Sequence, residues 1–178
     1  IYQNVKKLEP GTYMHLRFGE NRIETLKHQR FFRFEPAEPG IFSSQKRLKK
    51  EDAVAQLKKL LIDATRDRLL SDVPLGAFLS GGNDSSLVVA MMIKELGIKA
   101  KTFSIGFENS PSSEHPVAAE IARILGADHH ELIVSPSAVE QLPTIVNALD
   151  EPNGDSSCLP VYLLSQFARQ KVTVALSG

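Results

Sequence analysis

Hydrophobic and polar positions change their period several times along the chain. Residues 11–18, Gly-Thr-Tyr-Met-His-Leu-Arg-Phe, alternate among β-forming residues, and Gly19-Glu20-Asn21 breaks the run, which predicts a β-hairpin. Phe34-Glu35-Pro36-Ala37-Glu38-Pro39-Gly40 holds two prolines and a glycine in seven residues, a composition suited to an exposed connection. A domain boundary is therefore expected near residue 40, dividing 1–40 from 41–178. From Glu51 to Leu70 the period becomes helical: Val54, Leu57, Leu60, Leu61, Ala64 and Leu69 recur, with Lys58, Lys59, Asp63 and Arg66 mostly between them. Asp72-Val73-Pro74 ends that helix, because proline lacks an amide donor and disfavours helix in the residue before it.

Strand-length apolar runs follow at Leu75–Leu79, Lys101–Phe107, His130–Val134 and Val172–Leu176. Between them lie helical patterns: Ser85–Leu96 before Gly97, Glu114–Leu125 before Gly126, Ser137–Leu149 before Asp150-Glu151-Pro152, and Pro160–Arg169. Strands alternating with helices of ten or more residues predict right-handed βαβ units. The expected fold class is α/β, a doubly wound parallel sheet covered on both faces and preceded by a short β segment.

Composition narrows the functional classes. Among 178 residues, 21 Lys+Arg balance 21 Asp+Glu, so no basic stripe speaks for nucleic acid, although Lys46-Arg47-Leu48-Lys49-Lys50 is locally basic. No apolar window is long enough to span a bilayer, and residues 1–7 lack the apolar run of a secretory signal. The lone Cys158 makes no internal disulfide and no Cys/His spacing fits structural zinc, which points to a reducing, cytoplasmic setting. The chain opens on Ile1 and stops at Ser177-Gly178 right after an apolar run, so both ends read as cut from something longer.

The chemistry concentrates in Phe78-Leu79-Ser80-Gly81-Gly82-Asn83-Asp84-Ser85-Ser86, between a strand and a helix. Ligands of open parallel sheets bind beyond the carboxyl ends of strands, where the next helix offers free amides and the positive end of its dipole. Adjacent glycines let the backbone close on an anion, and Ser80, Ser85 and Ser86 carry hydroxyl donors. Asp84 alone would repel phosphate, so a carboxylate here makes sense as a ligand of Mg2+ shared with phosphate oxygens. A Walker A loop needs a lysine after its second glycine, and none occurs before Lys94. Leu79-Ser80-Gly81-Gly82 superficially matches a transporter ATPase signature, but Asn83-Asp84 replaces the following glutamine. A plain tight turn with Ser or Asp as helix cap is the competing structural reading. Asn83-Asp84-Ser85 also fits a glycosylation acceptor, which the lack of a secretory signal makes moot.

Ser80-Gly81-Gly82-Asn83-Asp84-Ser85 resembles the Ser-Gly-Gly-x-Asp-Ser loop of the N-type ATP pyrophosphatases, which cleave ATP to AMP and pyrophosphate. Within that group the longer context resembles the asparagine synthetase family: Asp72-Val73-Pro74-Leu75-Gly76-Ala77-Phe78-Leu79, Thr102-Phe103-Ser104-Ile105-Gly106-Phe107, Gly126-Ala127-Asp128-His129-His130-Glu131, Leu149-Asp150-Glu151-Pro152 and Val174-Ala175-Leu176-Ser177-Gly178. The resemblance covers about residues 50–178. Residues 1–34, with Val5-Lys6-Lys7-Leu8-Glu9-Pro10-Gly11, look like the last strands of the family's N-terminal glutaminase domain.

The resemblance implies an adenine nucleotide alpha hydrolase-like fold and an ATP-dependent ligase that amidates aspartate through an acyl-adenylate, with ammonia from glutamine. ATP and Mg2+ are the implied cofactors, and partners are small molecules rather than nucleic acid or membrane. Ser80, Gly81, Gly82, Asp84 and Ser85 would bind pyrophosphate, with Asp84 on the metal. Leu79 and Ile105 match adenosine-contacting positions, although plain core packing accounts for them equally, and Ser177 and Gly178 match a nucleotide-contacting turn. The family's nucleophilic N-terminal cysteine is absent, and its acidic glycine-rich segment and essential lysine would follow Gly178, so this polypeptide by itself is expected to be inactive. The resemblance leaves room for a homodimer of the full-length protein through the glutaminase domain.

Lesser candidates have structural alternatives. Ser104 and Glu108 stand near the end of a strand that reaches the same crevice. Asp150, Glu151 and Asp155-Ser156-Ser157 could hold metal or orient amino groups, or could simply close one helix and cap the next. Strand alternation puts His129 and His130 on opposite faces, against a joint metal role, and His15, His28 and His115 show no partner spacing. Two other functions remain open: a related adenylating ligase of the β-lactam-forming or peptide-cyclising type, and a nucleotide-binding module without catalysis.

Overall fold

The computed structural model describes residues 3–20, 22–33, 48–108, 113–149 and 153–178, in two compact units, Ile1–Leu48 and Lys49–Gly178. The connection expected near residue 40 lies outside the described residues.

In the first unit the alternating run forms β1 (Thr12–Phe18), paired antiparallel with β2 (Ile23–Arg30) from Thr12↔Arg30 to Phe18↔Ile23. The register shifts between His15 and Leu16. Gly11, at φ +69°, turns its carbonyl to accept the amides of Phe31 and Phe32, which closes the open end of the hairpin.

The second unit begins with α1 (Lys50–Arg68) and β3 (Leu75–Phe78). Next come α2 (Asn83–Ala90), whose last turn (Met91–Glu95) is π-wound, and β4 (Lys101–Phe107). They are followed by α3 (His115–Leu125), β5 (Asp128–Val134), a 3₁₀ stretch (Pro136–Gln141) leading into α4 (Leu142–Leu149), α5 (Cys158–Ala168) and β6 (Val174–Leu176). The four strands are parallel in the order β5-β4-β3-β6. The chain steps outward from β3 to β5 and then returns to the far side of β3, so the order reverses between β3 and β6. An α/β fold wound in both directions has its ligand crevice there, beyond the carboxyl strand ends.

Strand alternation divides the core into two layers. Ala77 and Leu79 point to one face and pack with Val89, Met92, Ala118 and Ala122 of α2 and α3. Phe78, Phe103 and Ile105 point to the other and pack with Leu164, Phe167 and Ala168 of α5. Phe103 is fully buried edge-on to Phe167, at 6.0 Å between ring centroids. Gly76 makes that possible, since a Cβ there would lie 2.9 Å from the Phe103 ring. Helix α1 buries Thr65 and partly buries Leu61 and Leu69, and Lys58 pairs with Glu95 at 2.7 Å, while Val54, Leu57 and Leu60 stay exposed.

Several boundaries differ from the periodicity for identifiable reasons. The helix expected over 137–149 is broken: Pro143 cannot donate to a carbonyl one turn back, so a new α-helix starts at Leu142 with proline in its first turn. Proline in the first turn likewise lets α5 begin at Cys158, ahead of Pro160. The last strand starts at Val174 because the amide of Val172 still bonds the carbonyl of Ala168 as the end of α5. Strand β5 starts two residues early, where Asp128 N–H donates to Ala100 O at 3.0 Å.

Candidate functional site

The loop after β3 is held open by its own hydrogen bonds. Gly81 sits at φ +87°, and a Cβ there would lie 3.1 Å from the amide nitrogen of Ala118 and 3.2 Å from the Val117 side chain. Gly82 is the N-cap of α2 and has no side chain to bond the helix amides, and the first rung of the helix is Ser86 N–H to Gly82 O at 3.1 Å. The amides of Asn83, Asp84 and Ser85 therefore have no intrahelical acceptor. They point out of the helix with its positive dipole end, the arrangement that binds anions.

The serines support the loop from within. Ser80 N–H donates to Ser85 Oγ at 3.2 Å, and the two hydroxyls lie 3.0 Å apart. Ser85 Oγ donates to Gly82 O at 3.3 Å, Gly82 N–H donates to Ser80 Oγ at 3.2 Å, and Ser86 Oγ donates to Gly82 O at 2.6 Å. Ser85 is buried. These hydroxyls, which the sequence offers as phosphate donors, are occupied in shaping the backbone, so the free donors of the loop are chiefly amides.

Ser177 and Gly178, after β6, come to the same place. A Cβ on Gly178 would fall inside 3.0 Å of the Asp84 and Ser85 backbone, a contact only glycine permits. Phe78, Ser80, Gly82, Asn83, Asp84, Ser85, Ser177 and Gly178 together line a recess of about 180 Å³ at the switch point. Asp84, exposed at its rim, is the one carboxylate among them. A single carboxylate beside free amides suits Mg2+ shared with ligand phosphates rather than a metal held wholly by protein. Among the described residues no group of three or more His, Cys, Asp or Glu is gathered for a protein cage.

A second cavity, of about 290 Å³, opens from Ser80 toward β4 and α5, walled by Phe78, Leu79, Ile105, Phe107 and Leu164. Leu79 is 1% exposed and belongs to the core as well, its amide donating to Phe103 O at 2.9 Å. Ser104 borders the cavity, but its hydroxyl meets His129 Nε2 at 3.2 Å, while Thr102 Oγ1 holds His129 Nδ1 at 2.8 Å. Burial pushes the His129 pKa below the usual imidazole value, with the nearby Glu131 carboxylate opposing the shift and His130 adding to it. His130 stacks instead on Phe103 from the opposite face. Glu108 is exposed, its amide bonded to Val134 O at 3.0 Å.

The other candidates stay apart from the recess lining. Asp155 accepts Ser157 N–H at 2.9 Å, which holds its carboxyl below the usual carboxylate range, and its own amide donates to Asn153 Oδ1 at 3.0 Å. This is turn chemistry ahead of α5. Asp150 and Glu151 lie outside the described residues. His115 Nδ1 pairs with Ser113 Oγ at 2.7 Å. Phe78, which lines both spaces, stands in the loop stretch read from sequence but was given no role there, and Glu114, which borders the second, was not singled out, since only its place at an element end marks it.

A parallel sheet with a Gly-Gly loop and a free helix N-terminus at its switch point defines an α/β domain of the pyrophosphate-loop fold. The asparagine synthase family model matches residues 56–178, and the chain belongs to that family. It is 36% identical over 177 residues to asparagine synthetase (glutamine-hydrolyzing) 1 of Bacillus subtilis, covering 98% of this chain and 26% of that protein. It is 38% identical over 180 residues to putative asparagine synthetase (glutamine-hydrolyzing) 2 of Methanocaldococcus jannaschii, covering 100% of this chain and 33% of the relative. The chain thus spans a quarter to a third of these relatives. Among solved structures, NMN synthetase from Francisella tularensis overlays 72% of the chain and 54% of its own length at TM-score 0.47 and 16% identity, too loose a likeness to add to the sheet order. No described helix is long and apolar enough to cross a membrane.

Proposed function

We propose that this chain carries the ATP-binding part of the synthetase domain of a glutamine-dependent asparagine synthetase, with residues 1–40 as the closing strands of its glutaminase domain and the linker that follows them. The observation that carries the reading is the loop of Ser80 to Ser85, at the switch point and inside the segment matched by the family model. The amides of Asn83, Asp84 and Ser85 would hold the β- and γ-phosphates, with Gly81 and Gly82 allowing the backbone to close on them. Asp84 would hold Mg2+, which when bound neutralises charge on the departing pyrophosphate. Leu79 and Ile105 would wall the adenosine, and Ser177 and Gly178 would close the nucleotide from the β6 side.

In the reaction a carboxylate oxygen of aspartate attacks the α-phosphorus of ATP, and the bond to pyrophosphate breaks. Ammonia then attacks the acyl carbon of the β-aspartyl-adenylate, and AMP leaves with that oxygen. The loop contributes positioning and fixed donors aimed at the developing charge. The small-molecule substrates, the absence of nucleic-acid and membrane partners, a cytoplasmic setting and a homodimer of the full-length protein belong to the same proposal.

The test uses the full-length protein with aspartate labelled by oxygen-18 in its side-chain carboxylate. Asparagine, AMP and pyrophosphate should form in equal amounts, with one label appearing in AMP. Formation of ADP and phosphate, or unlabelled AMP, contradicts the reading. Product formation that ignores ammonia and glutamine would favour the β-lactam-forming or peptide-cyclising type.

A further inference from the structure

Asn153 and Gly154 lie in the stretch before α5, exposed and in neither helix nor strand. A Cβ on Gly154 would meet open space, and the Gly154 amide makes no hydrogen bond among the described residues. A backbone nitrogen that follows asparagine is a latent nucleophile for that residue's carboxamide carbon, because bond formation between them closes a succinimide ring. Glycine leaves the approach unhindered, since it has no Cβ beside the nitrogen and its backbone turns freely.

The carboxamide is held ready from its other side. Asn153 Oδ1 accepts Asp155 N–H at 3.0 Å. That bond draws electron density from the carboxamide carbon, and Oδ1 is the atom that takes on negative charge when a nucleophile adds to it. A fixed amide donor therefore already lies where the charge develops. The other described asparagines lack this combination. Asn4 precedes Val5, Asn83 precedes Asp84 and Asn147 precedes Ala148, so each neighbouring amide carries a Cβ. Asn83 and Asn147 also belong to α2 and α4, whose helical dihedrals hold the next nitrogen away from the side-chain carbon.

We infer that Asn153 is a modification site at which the folded chain deamidates through a succinimide, replacing a neutral carboxamide by a carboxylate ahead of α5. Water or hydroxide takes the Gly154 amide proton, the nitrogen bonds to Asn153 Cγ, and the Cγ–Nδ2 bond breaks as ammonia leaves. Water then opens the ring. Cleavage at Cγ gives aspartate in the ordinary main chain, whereas cleavage at the backbone carbonyl carbon gives isoaspartate, in which the main chain runs through Cγ. Neither step changes an oxidation state. Isoaspartate takes Oδ1 out of the side chain and lengthens the turn leading into α5, the helix that brings Leu164 to the cavity wall.

Incubation of the folded chain in mildly alkaline buffer, followed by tryptic digestion and mass spectrometry, reads the site directly. The peptide Ile124–Arg169 carries both Asn147 and Asn153, so one fragment holds the site and a helical control. The amide-to-acid mass gain should fall on Asn153 and spare Asn147. Hydroxylamine should cleave between residues 153 and 154 while the ring is present, and an isoaspartate methyltransferase should label the product. Gly154→Ala should slow the conversion at least about tenfold. Asn153→Gln, whose longer side chain closes the ring poorly, should abolish the accompanying acidic shift in ion exchange, with circular dichroism checking that each chain is folded. Asn153 left intact in the folded chain while the guanidinium-unfolded chain deamidates there overturns the inference. So does an equal rate at Asn147, or an unchanged rate in folded Gly154→Ala.

Discussion

At the scale of single residues, the loop depends on positions where little else fits. Gly81→Ala forces an L-residue into φ +87° against the start of α3 and should cost about 1–2 kcal/mol in urea denaturation, together with much of the pyrophosphate affinity. Ser85→Ala removes the acceptor of Ser80 N–H and the partner of Ser80 Oγ, for a loss of about 1–3 kcal/mol. His129 gives a pH signature. Its folded-state pKa is lowered, so below the ordinary imidazole value the unfolded chain binds the proton more readily. That contribution to stability is complete above about pH 6.5 and is lost as pH falls from there toward the lowered folded value. Urea midpoints from pH 7.5 to 5 should fall along that slope in wild type and flatten in His129→Gln. The place of the loop between a strand and a helix was legible in the sequence because an apolar run, two glycines and a helical period follow one another there. The inward direction of the Ser80 and Ser85 hydroxyls was not, because it follows from rotamers set by the folded backbone.

At the scale of elements, period and punctuation located nearly every strand and helix, since each buries one stripe against the sheet. What period alone passed over was local stereochemistry. Pro143 was visible yet was read as part of one helix, and the π-wound turn after Ala90 leaves no pattern, because Met91 and Met92 are apolar in either winding. The two-layer core makes a further prediction. Phe103 joins the strand carrying Ile105 to α5, so Phe103→Ala should cost about 3–5 kcal/mol. Calorimetry should register it as a lower Tm and urea denaturation as a lower midpoint, whereas Val54→Ala, on the exposed side of α1, should change stability by about 0.5 kcal/mol or less.

At the scale of the whole molecule, the strand order places the loop, and no periodicity could give it, since the return of β6 to the far side of β3 is settled by how α5 covers the second face. Both core clusters and every residue lining the recess lie within Lys49–Gly178. A chain lacking residues 1–48 should therefore keep a cooperative urea transition and bind Mg·pyrophosphate within about twofold of the longer chain, and loss of either would tie the site to the first unit. The most direct test of the site is isothermal titration with pyrophosphate, with and without Mg2+, of wild type and Asp84→Ala. Binding that requires Mg2+ and weakens at least about tenfold in Asp84→Ala is the expected result. Equal binding by a folded Asp84→Ala chain, or binding indifferent to Mg2+, would contradict the assignment of this loop to a metal-bound pyrophosphate.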